Sequence, residues 1–200
     1  LEGIMDDGSR VRGETSITNS KKRVARLELV PPNAEPLPET LEAIRHADLI
    51  TMGPGSLFTS LIPNILVKGM AEAIAASTAV KAYVCNLMTQ ANESLGLTAA
   101  DHIRAIYAHS GRPIFQFALV NRRQAAAEMR AKYALEASTQ IMVDEQEILA
   151  LGVQPILGDY LQEEGGVVRH ATDRVTRDLL RLKAREPERA GQVRPTGTGT

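Results

Sequence analysis

Cysteine occurs once in the 200 residues, as Cys85. A single thiol excludes an internal disulfide and any multi-cysteine metal site, and it fits a reducing, cytoplasmic setting. Its place in the apolar run VKAYVCNL reads as a buried small hydrophobe. Net charge is equally scarce: 23 basic against 24 acidic side chains leave −1. No global basic field exists to hold nucleic acid, although a local cradle for a phosphorylated small molecule does not need one. No apolar run is long enough to span a membrane and no signal-peptide pattern stands at the start, so no membrane insertion is expected. The four histidines, His46, His102, His109 and His170, do not cluster, and no metal site is expected. Neither a G-x-S-x-G elbow nor a Ser/His/Asp order is present. Lys68 and Arg122 read as solvated side chains, and no residue stands out as a general base.

What is present is the composition of an ordinary globular chain: 44% hydrophobic and 24% charged residues, enough for one substantial domain. From Pro36 onward helical and strand patterns alternate. PETLEAIRHA (38–47) carries Leu41 and Ile44 on one face, with Pro38 suited to a first turn. DLITM (48–52) is a short apolar strand. Pro63 opens a second helix with Leu66, Met70, Ala73 and Ser77 at helical spacing. VKAYVCN (80–86) is β-branched and aromatic and reads as a strand. Thr98 with Asp101 three residues on forms a capping box ahead of the stripe Ile103, Ile106, Tyr107. PIFQFALV (113–120) is the next strand, followed by the helix RRQAAAEMRAKYAL. TQIMVD (139–144) reads as another strand, with Asp144 capping EQEILAL and Gly152 stopping it. VQPIL (153–157) is a last strand, and ATDRVTRDLLRLKA a terminal helix with Val175, Leu179 and Leu182 on one face. Before Pro36, RVRGETSIT and KRVARLELV are two extended runs around NSKK, a hairpin or β-excursion. The domain is expected over 1–184 and a disordered polar tail over 185–200.

Alternating strands and helices imply βαβ units, a mostly parallel sheet and helices on both faces. Ligands of such sheets bind outside the carboxyl ends of the strands. The residues just after each expected strand are therefore the candidates: Gly53-Pro54-Gly55-Ser56, Asn86 to Gln90, Asn121 with Arg122, and Asp144 with Glu145. Gly53 and Gly55 permit backbone conformations closed to other residues, Ser56 can cap the following helix, and Thr59 and Ser60 add hydroxyls. The stretch matches neither G-x-G-x-x-G nor the G-x-x-x-x-G-K-S phosphate loop. It reads as an anion cradle or as an ordinary strand-to-helix turn. The polar run NLMTQANES favours the cradle, because Asn86, Thr89, Gln90, Asn92 and Glu93 are more amides, hydroxyls and acids than a turn needs. Asn121 doubles as a common turn residue, and Asp144 reads best as a helix cap.

ADLITMGPGSLFTSLIPNILVKGMAEAI followed by VKAYVCNLMTQANES, with DGSRVRGETSIT upstream and GGVVRHATDRV near the end, resembles the gluconeogenesis-factor (YvcK) branch of the 2-phospho-L-lactate transferase (CofD)-like family over roughly residues 1–183. The resemblance implies a Rossmann-like three-layer α/β fold. It also implies a cytoplasmic protein that binds nucleotide sugars of the UDP-N-acetylglucosamine type and is tied to gluconeogenic growth, cell shape and peptidoglycan synthesis. Carried over by motif, Gly53, Pro54, Gly55, Ser56, Thr59 and Ser60 lie on the phosphate side, and Asn64, Asn86, Met88, Thr89 and Gln90 line the rest of the pocket. Glu93, from the polar run, and Asn121, from its place after a strand, join them as candidates on the reading of the residues alone. The other branch implies an enzyme that moves a phospholactyl group from a guanosine diphosphate ester to a deazaflavin with magnesium. Two departures stand out. The family's GGGTG and DDGGSSG segments are absent, so the chain from Leu1 reads as starting mid-domain, with the first strands missing and an uncovered sheet edge. MTQ is followed by ANES where the family has PGET, so Glu93 keeps the acid without the Pro-Gly geometry. Homo-oligomer formation is left open.

Overall fold

The structure, a computed structural model, describes residues 1–20, 22–91 and 93–185. The tail expected over 185–200 lies outside the described residues, apart from Arg185 at the end of the last helix.

Four strands form the parallel sheet in chain order: β4 (Leu49–Met52), β5 (Val80–Val84), β6 (Phe117–Asn121) and β7 (Gln154–Gly158). β5 is buried along its whole length, as a central parallel strand covered on both faces must be. Its alternation separates two layers. Val80, Ala82 and Val84, with Leu119 of β6, face the terminal helix α8 (Thr172–Arg185) through Val175 and Leu182. Tyr83 and Cys85, with Ala118 and Val120, face the opposite layer. That layer contains α3 (Ile62–Leu66), α5 (Ala99–Ser110) and α7 (Glu145–Ala150). Helices thus cover both faces.

α5 starts as its sequence dictates. The Thr98 hydroxyl accepts from the Asp101 N–H and the Asp101 carboxylate accepts from the Thr98 N–H, which satisfies two of the orphan donors of a helix start. Burial pushes the Asp101 carboxyl up, but the Thr98 and Arg104 hydrogen bonds outweigh it and hold it below the usual carboxylate range. Gly111 stops α5 in the left-handed conformation, at φ 70°.

The N-terminal residues form a separate antiparallel sheet of β1 (Glu2–Met5), β2 (Arg10–Arg12) and β3 (Val24–Glu28), in the order β2-β1-β3. ETSIT, expected to be extended, is instead α1 (Glu14–Thr18): Gly13 at φ 97° turns the chain and Ile17 plugs the core, fully buried. This sheet packs on the helical layer through Met5, Ile17, Val24 and Leu27.

Three further expectations are corrected. The helix placed after Pro63 begins earlier, as a π-helical turn over Leu57–Leu61 that runs into α3. It then breaks before α4 (Met70–Ala76), bending by 81°, because Gly69 takes φ 79°. Residues 113–116 precede β6 rather than belong to it. Residues 139–143 are not a strand of the sheet: the slot beside β6 is taken by β7, and the segment makes one isolated antiparallel bridge, Met88 to Gln140. α2 (Pro38–His46) stands before β4, α6 (Ala127–Ala134) follows β6, and a hairpin of β8 (Leu161–Glu164) and β9 (Val167–His170) precedes α8. Among the described residues no single helix is long and apolar enough to cross a membrane.

Candidate functional site

The carboxyl ends of β4 and β5 lie side by side, and the loop Gly53–Ser56 crosses over the end of β5. Gly53 has φ 91°, and a Cβ there would stand 2.5 Å from the Val84 carbonyl oxygen. No other residue fits, on conformation and on space alike. The loop is clamped by the polar run that follows β5. The Asn86 amide donates to the Gly55 carbonyl at 2.9 Å and its oxygen accepts from the Gly55 N–H at 3.3 Å. Gln90 Nε2 donates to Ser56 Oγ at 2.9 Å. The Thr59 hydroxyl donates to Glu93 Oε1 at 2.7 Å, and Thr18 of α1 reaches the same oxygen at 3.3 Å.

Ser56 stands at the cap position of the π-helical turn, but its side chain does not cap it. The hydroxyl is engaged by Gln90, so the first N–H groups of the turn keep no side-chain acceptor. Beneath the loop, Glu93 is 6% exposed and its Oε2 has no hydrogen-bond partner. Gln90 Oε1 is likewise buried without one. Two unpartnered acceptors, one in the side chain that holds Ser56 and one in the side chain that holds Thr59, are unusual, because buried polar atoms are nearly always paired.

Of the candidate residues, the structure therefore brings together Gly53, Pro54, Gly55, Ser56, Thr59, Asn86, Gln90 and Glu93. The others go elsewhere. Ser60 is exposed. The Asn64 amide donates to the Ser60 carbonyl at 2.6 Å, and Asn64 lines a largely apolar cavity of about 310 Å³ with Met52, Ile65 and Phe115, which meets the glycine loop only at Gly53. Met88 packs with Leu87, Ala125 and Leu161. Thr89 is buried, its hydroxyl accepting from the Thr139 N–H at 2.9 Å. Asn121 closes its own turn: its oxygen accepts from the Tyr160 and Arg123 N–H groups at 3.1 and 3.2 Å, and its amide donates to the Arg123 carbonyl at 2.7 Å.

Asp144 occupies the cap position of α7 without a side-chain cap there. Its carboxylate serves α5 instead, accepting from the Thr98 hydroxyl at 2.5 Å and the Ala100 N–H at 2.9 Å. With no strand over 139–143, Asp144 and Glu145 do not join the sheet edge. Cys85 is buried, and burial pushes its thiol up to about 12, as suits a packing residue.

Sequence reasoning missed two contributors. Thr18 reaches Glu93 only because ETSIT is a helix. His170, at the end of β9, places Nε2 3.1 Å from the Cys85 carbonyl oxygen, so the hairpin leans over the end of β5. Burial lowers the His170 pKa, against the opposing hydrogen bond to that carbonyl. The only signal for either was the stretch RVRGETSIT and the VVRH segment, neither of which stands next to a glycine loop in the chain.

The comparisons agree with this architecture. The family model for 2-phospho-L-lactate transferase CofD matches residues 1–161. A gluconeogenesis factor of Halalkalibacterium halodurans is 45% identical over 185 residues, 92% of this chain and 58% of that protein. One of Bacillus subtilis is 40% identical over 182 residues, 91% of this chain and 57% of that protein. A crystal structure from Bacillus halodurans, described as a member of the UPF0052 family, matches with a TM-score of 0.87 at 45% identity, covering 90% of this chain and 58% of the other. The chain thus spans between half and two thirds of the length of these relatives. With a matched family model over most of its length and the same fold as a solved relative, this chain belongs to the 2-phospho-L-lactate transferase CofD family and is similar within it to the gluconeogenesis factors.

Proposed function

We propose that the clamped glycine loop binds a nucleotide sugar of the UDP-N-acetylglucosamine type, and that the chain is the ligand-binding part of a cytoplasmic regulator of carbon metabolism, cell shape and peptidoglycan synthesis. One observation carries the reading: the buried, unpartnered acceptors Glu93 Oε2 and Gln90 Oε1 beneath an uncapped helical start. Buried acceptors call for donors, which sugar hydroxyls and an amide N–H supply. The N–H groups at the start of the turn suit an anion. A hydroxylated ring joined to a diphosphate offers both in one molecule. The Asn86 clamp fixes the loop before the ligand arrives, so little ordering entropy is lost on binding. The gluconeogenesis-factor relatives support the metabolic part.

The family description favours a second reading, a 2-phospho-L-lactate transferase, for which the resemblance implies a guanosine diphosphate ester as donor and a deazaflavin as acceptor. Among the described residues no group of three or more His, Cys, Asp or Glu side chains is assembled to hold a metal ion; magnesium on a phosphorylated substrate would ask only for one or two carboxylates.

Calorimetry with UDP-N-acetylglucosamine tests the first reading, on this chain and on the chain completed with the remainder of the Bacillus halodurans relative. The double variant Ser56→Ala with Thr59→Ala is expected to bind about tenfold more weakly, with its fold intact. Unchanged affinity would return the loop to an ordinary turn. Consumption of the guanosine ester would favour the enzyme.

A further inference from the structure

A second cleft opens along the same sheet edge, past the carboxyl end of β6, with a volume of about 550 Å³. Its polar wall is Arg122, Gln124 and Arg130, and its apolar side is Ile141 and Val143. No carboxylate lines it. Most of the chain's other arginines have an ion-pair partner, among them Arg10, Arg45, Arg104, Arg112 and Arg174. Arg122 and Arg130 have none among the described residues. Two neighbouring acids of the β7–β8 stretch are engaged elsewhere: Asp159 pairs with Arg123 and Arg174, and Glu163 accepts from the Ala126 N–H. Glu128, on α6 two residues before Arg130, is exposed and does not line the cleft.

The backbone under both cations is fixed. The Arg122 N–H donates to the Gly158 carbonyl at 2.9 Å, tying it to β7, and Arg130 stands in α6 with its N–H on the Ala126 carbonyl at 2.9 Å. Gln140 ties the floor to the wall, its amide donating to the Arg123 carbonyl at 2.7 Å and its oxygen accepting from the Ala125 N–H at 2.9 Å. The lining of the cleft therefore carries two guanidiniums and no carboxylate. Two planar guanidiniums on one concave surface match a tetrahedral oxyanion bidentately.

We propose that this cleft is an anion site separate from the glycine loop, taking the phosphoryl group of a small phosphorylated metabolite between Arg122 and Arg130. Gln124, exposed and without a partner, is placed to meet the polar remainder of such a ligand. The ligand is a phosphomonoester, whose double charge answers two cations.

The test uses inorganic phosphate as the probe. It is titrated into the full chain at constant ionic strength, with chloride exchanged for phosphate, while the arginine Nε–H signals are followed by nuclear magnetic resonance. Saturable shifts of Arg122 and Arg130 are expected. Arg122→Gln or Arg130→Gln should each weaken phosphate binding about tenfold, the loss of one charge-assisted contact, while the backbone amide spectrum stays native because both side chains are exposed. Ser56→Ala with Thr59→Ala should leave phosphate affinity at this cleft unchanged, which separates this proposal from the nucleotide-sugar reading. Shifts that rise linearly without saturation, or a saturable affinity that neither glutamine variant alters, would overturn it.

Discussion

Asn86 just past β5 and Asn121 at the end of β6 lie along the same edge of one parallel sheet, yet they do opposite things. Asn86 reaches across to Gly55 and holds a different loop in place. Asn121 spends its contacts on backbone groups, binding Arg123 of its own turn twice and Tyr160, just past β7, once. Around the first, polar atoms are left over: Gln90 Oε1 and Glu93 Oε2 are buried and unsatisfied. Around the second, the buried side chain is fully used. At the end of β5 the polar side chains brace a neighbouring loop and leave acceptors spare. At the end of β6 the asparagine is spent on backbone contacts, and what is left over is the pair of cations beside it in the cleft, Arg122 and Arg130.

Substitutions break this contrast in graded ways. Gly53→Ala should have the largest effect. It adds a Cβ 2.5 Å from the Val84 carbonyl oxygen at a φ of 91°, and it is expected to cost at least about 3 kcal/mol in urea unfolding and to abolish ligand binding. Asn121→Ala comes next. It strands the Tyr160 and Arg123 N–H groups and should cost about 2–3 kcal/mol, with ligand affinity per folded molecule unchanged. Asn86→Ala should reverse that balance: about 1 kcal/mol in stability and about tenfold in affinity for UDP-N-acetylglucosamine. Equal ratios of stability loss to affinity loss in the two asparagine variants would erase the distinction.

The smallest effect is a pH dependence that belongs to neither region but to α5, the helix beneath the sheet. Burial lowers the pKa of His102 and His109 below 6.5, against hydrogen bonds to the Thr98 and Ala105 carbonyls. A neutral His109 donates from Nδ1 to Ala105 and accepts the Leu27 N–H at Nε2, at 3.0 Å. Protonation removes that acceptor. The unfolded chain binds the proton more readily, so stability is full above about pH 7 and falls as pH drops through 6.5. Urea melts at pH 7.5 and 5.5 should show the loss, and His102→Gln should reduce it. A flat profile would show that neither imidazole changes its protonation state on folding.

Much of the fold was legible because local chemistry and tertiary use coincide. Thr98 and Asp101 cap α5 as their spacing says, Val175 and Leu182 seat α8, and the apolar runs at 49–52, 80–84 and 117–121 enter the sheet. The failures share one cause. TQIMVD has the pattern of a strand, but pattern does not say which slot is vacant, and β7 holds the place beside β6. Asp144 has the chemistry of a cap, but the helix it serves is α5, 44 residues back in the chain. ETSIT has β-branched residues, and the burial of Ile17 overrides them. At the candidate site, the glycine loop and its polar partner run were readable as a pair. The split within that run was not, since whether Met88 and Thr89 turn away from the loop depends on the segment 138–141 that pins them.

The two margins of the parallel sheet are chemically unlike. In β7 the Gln154 N–H points at β6, donating to the Gln116 carbonyl at 2.8 Å. Alternation therefore turns Pro155 outward, where it has no N–H to offer. β4 has no proline, and Leu49 and Thr51 direct their backbone groups away from β5. The sheet has a polarity of growth: an incoming strand, from this polypeptide or another, meets a broken template at β7 and an intact one at β4. Among the described strands, the margin with its backbone donors intact is β4, the one that also carries the glycine loop.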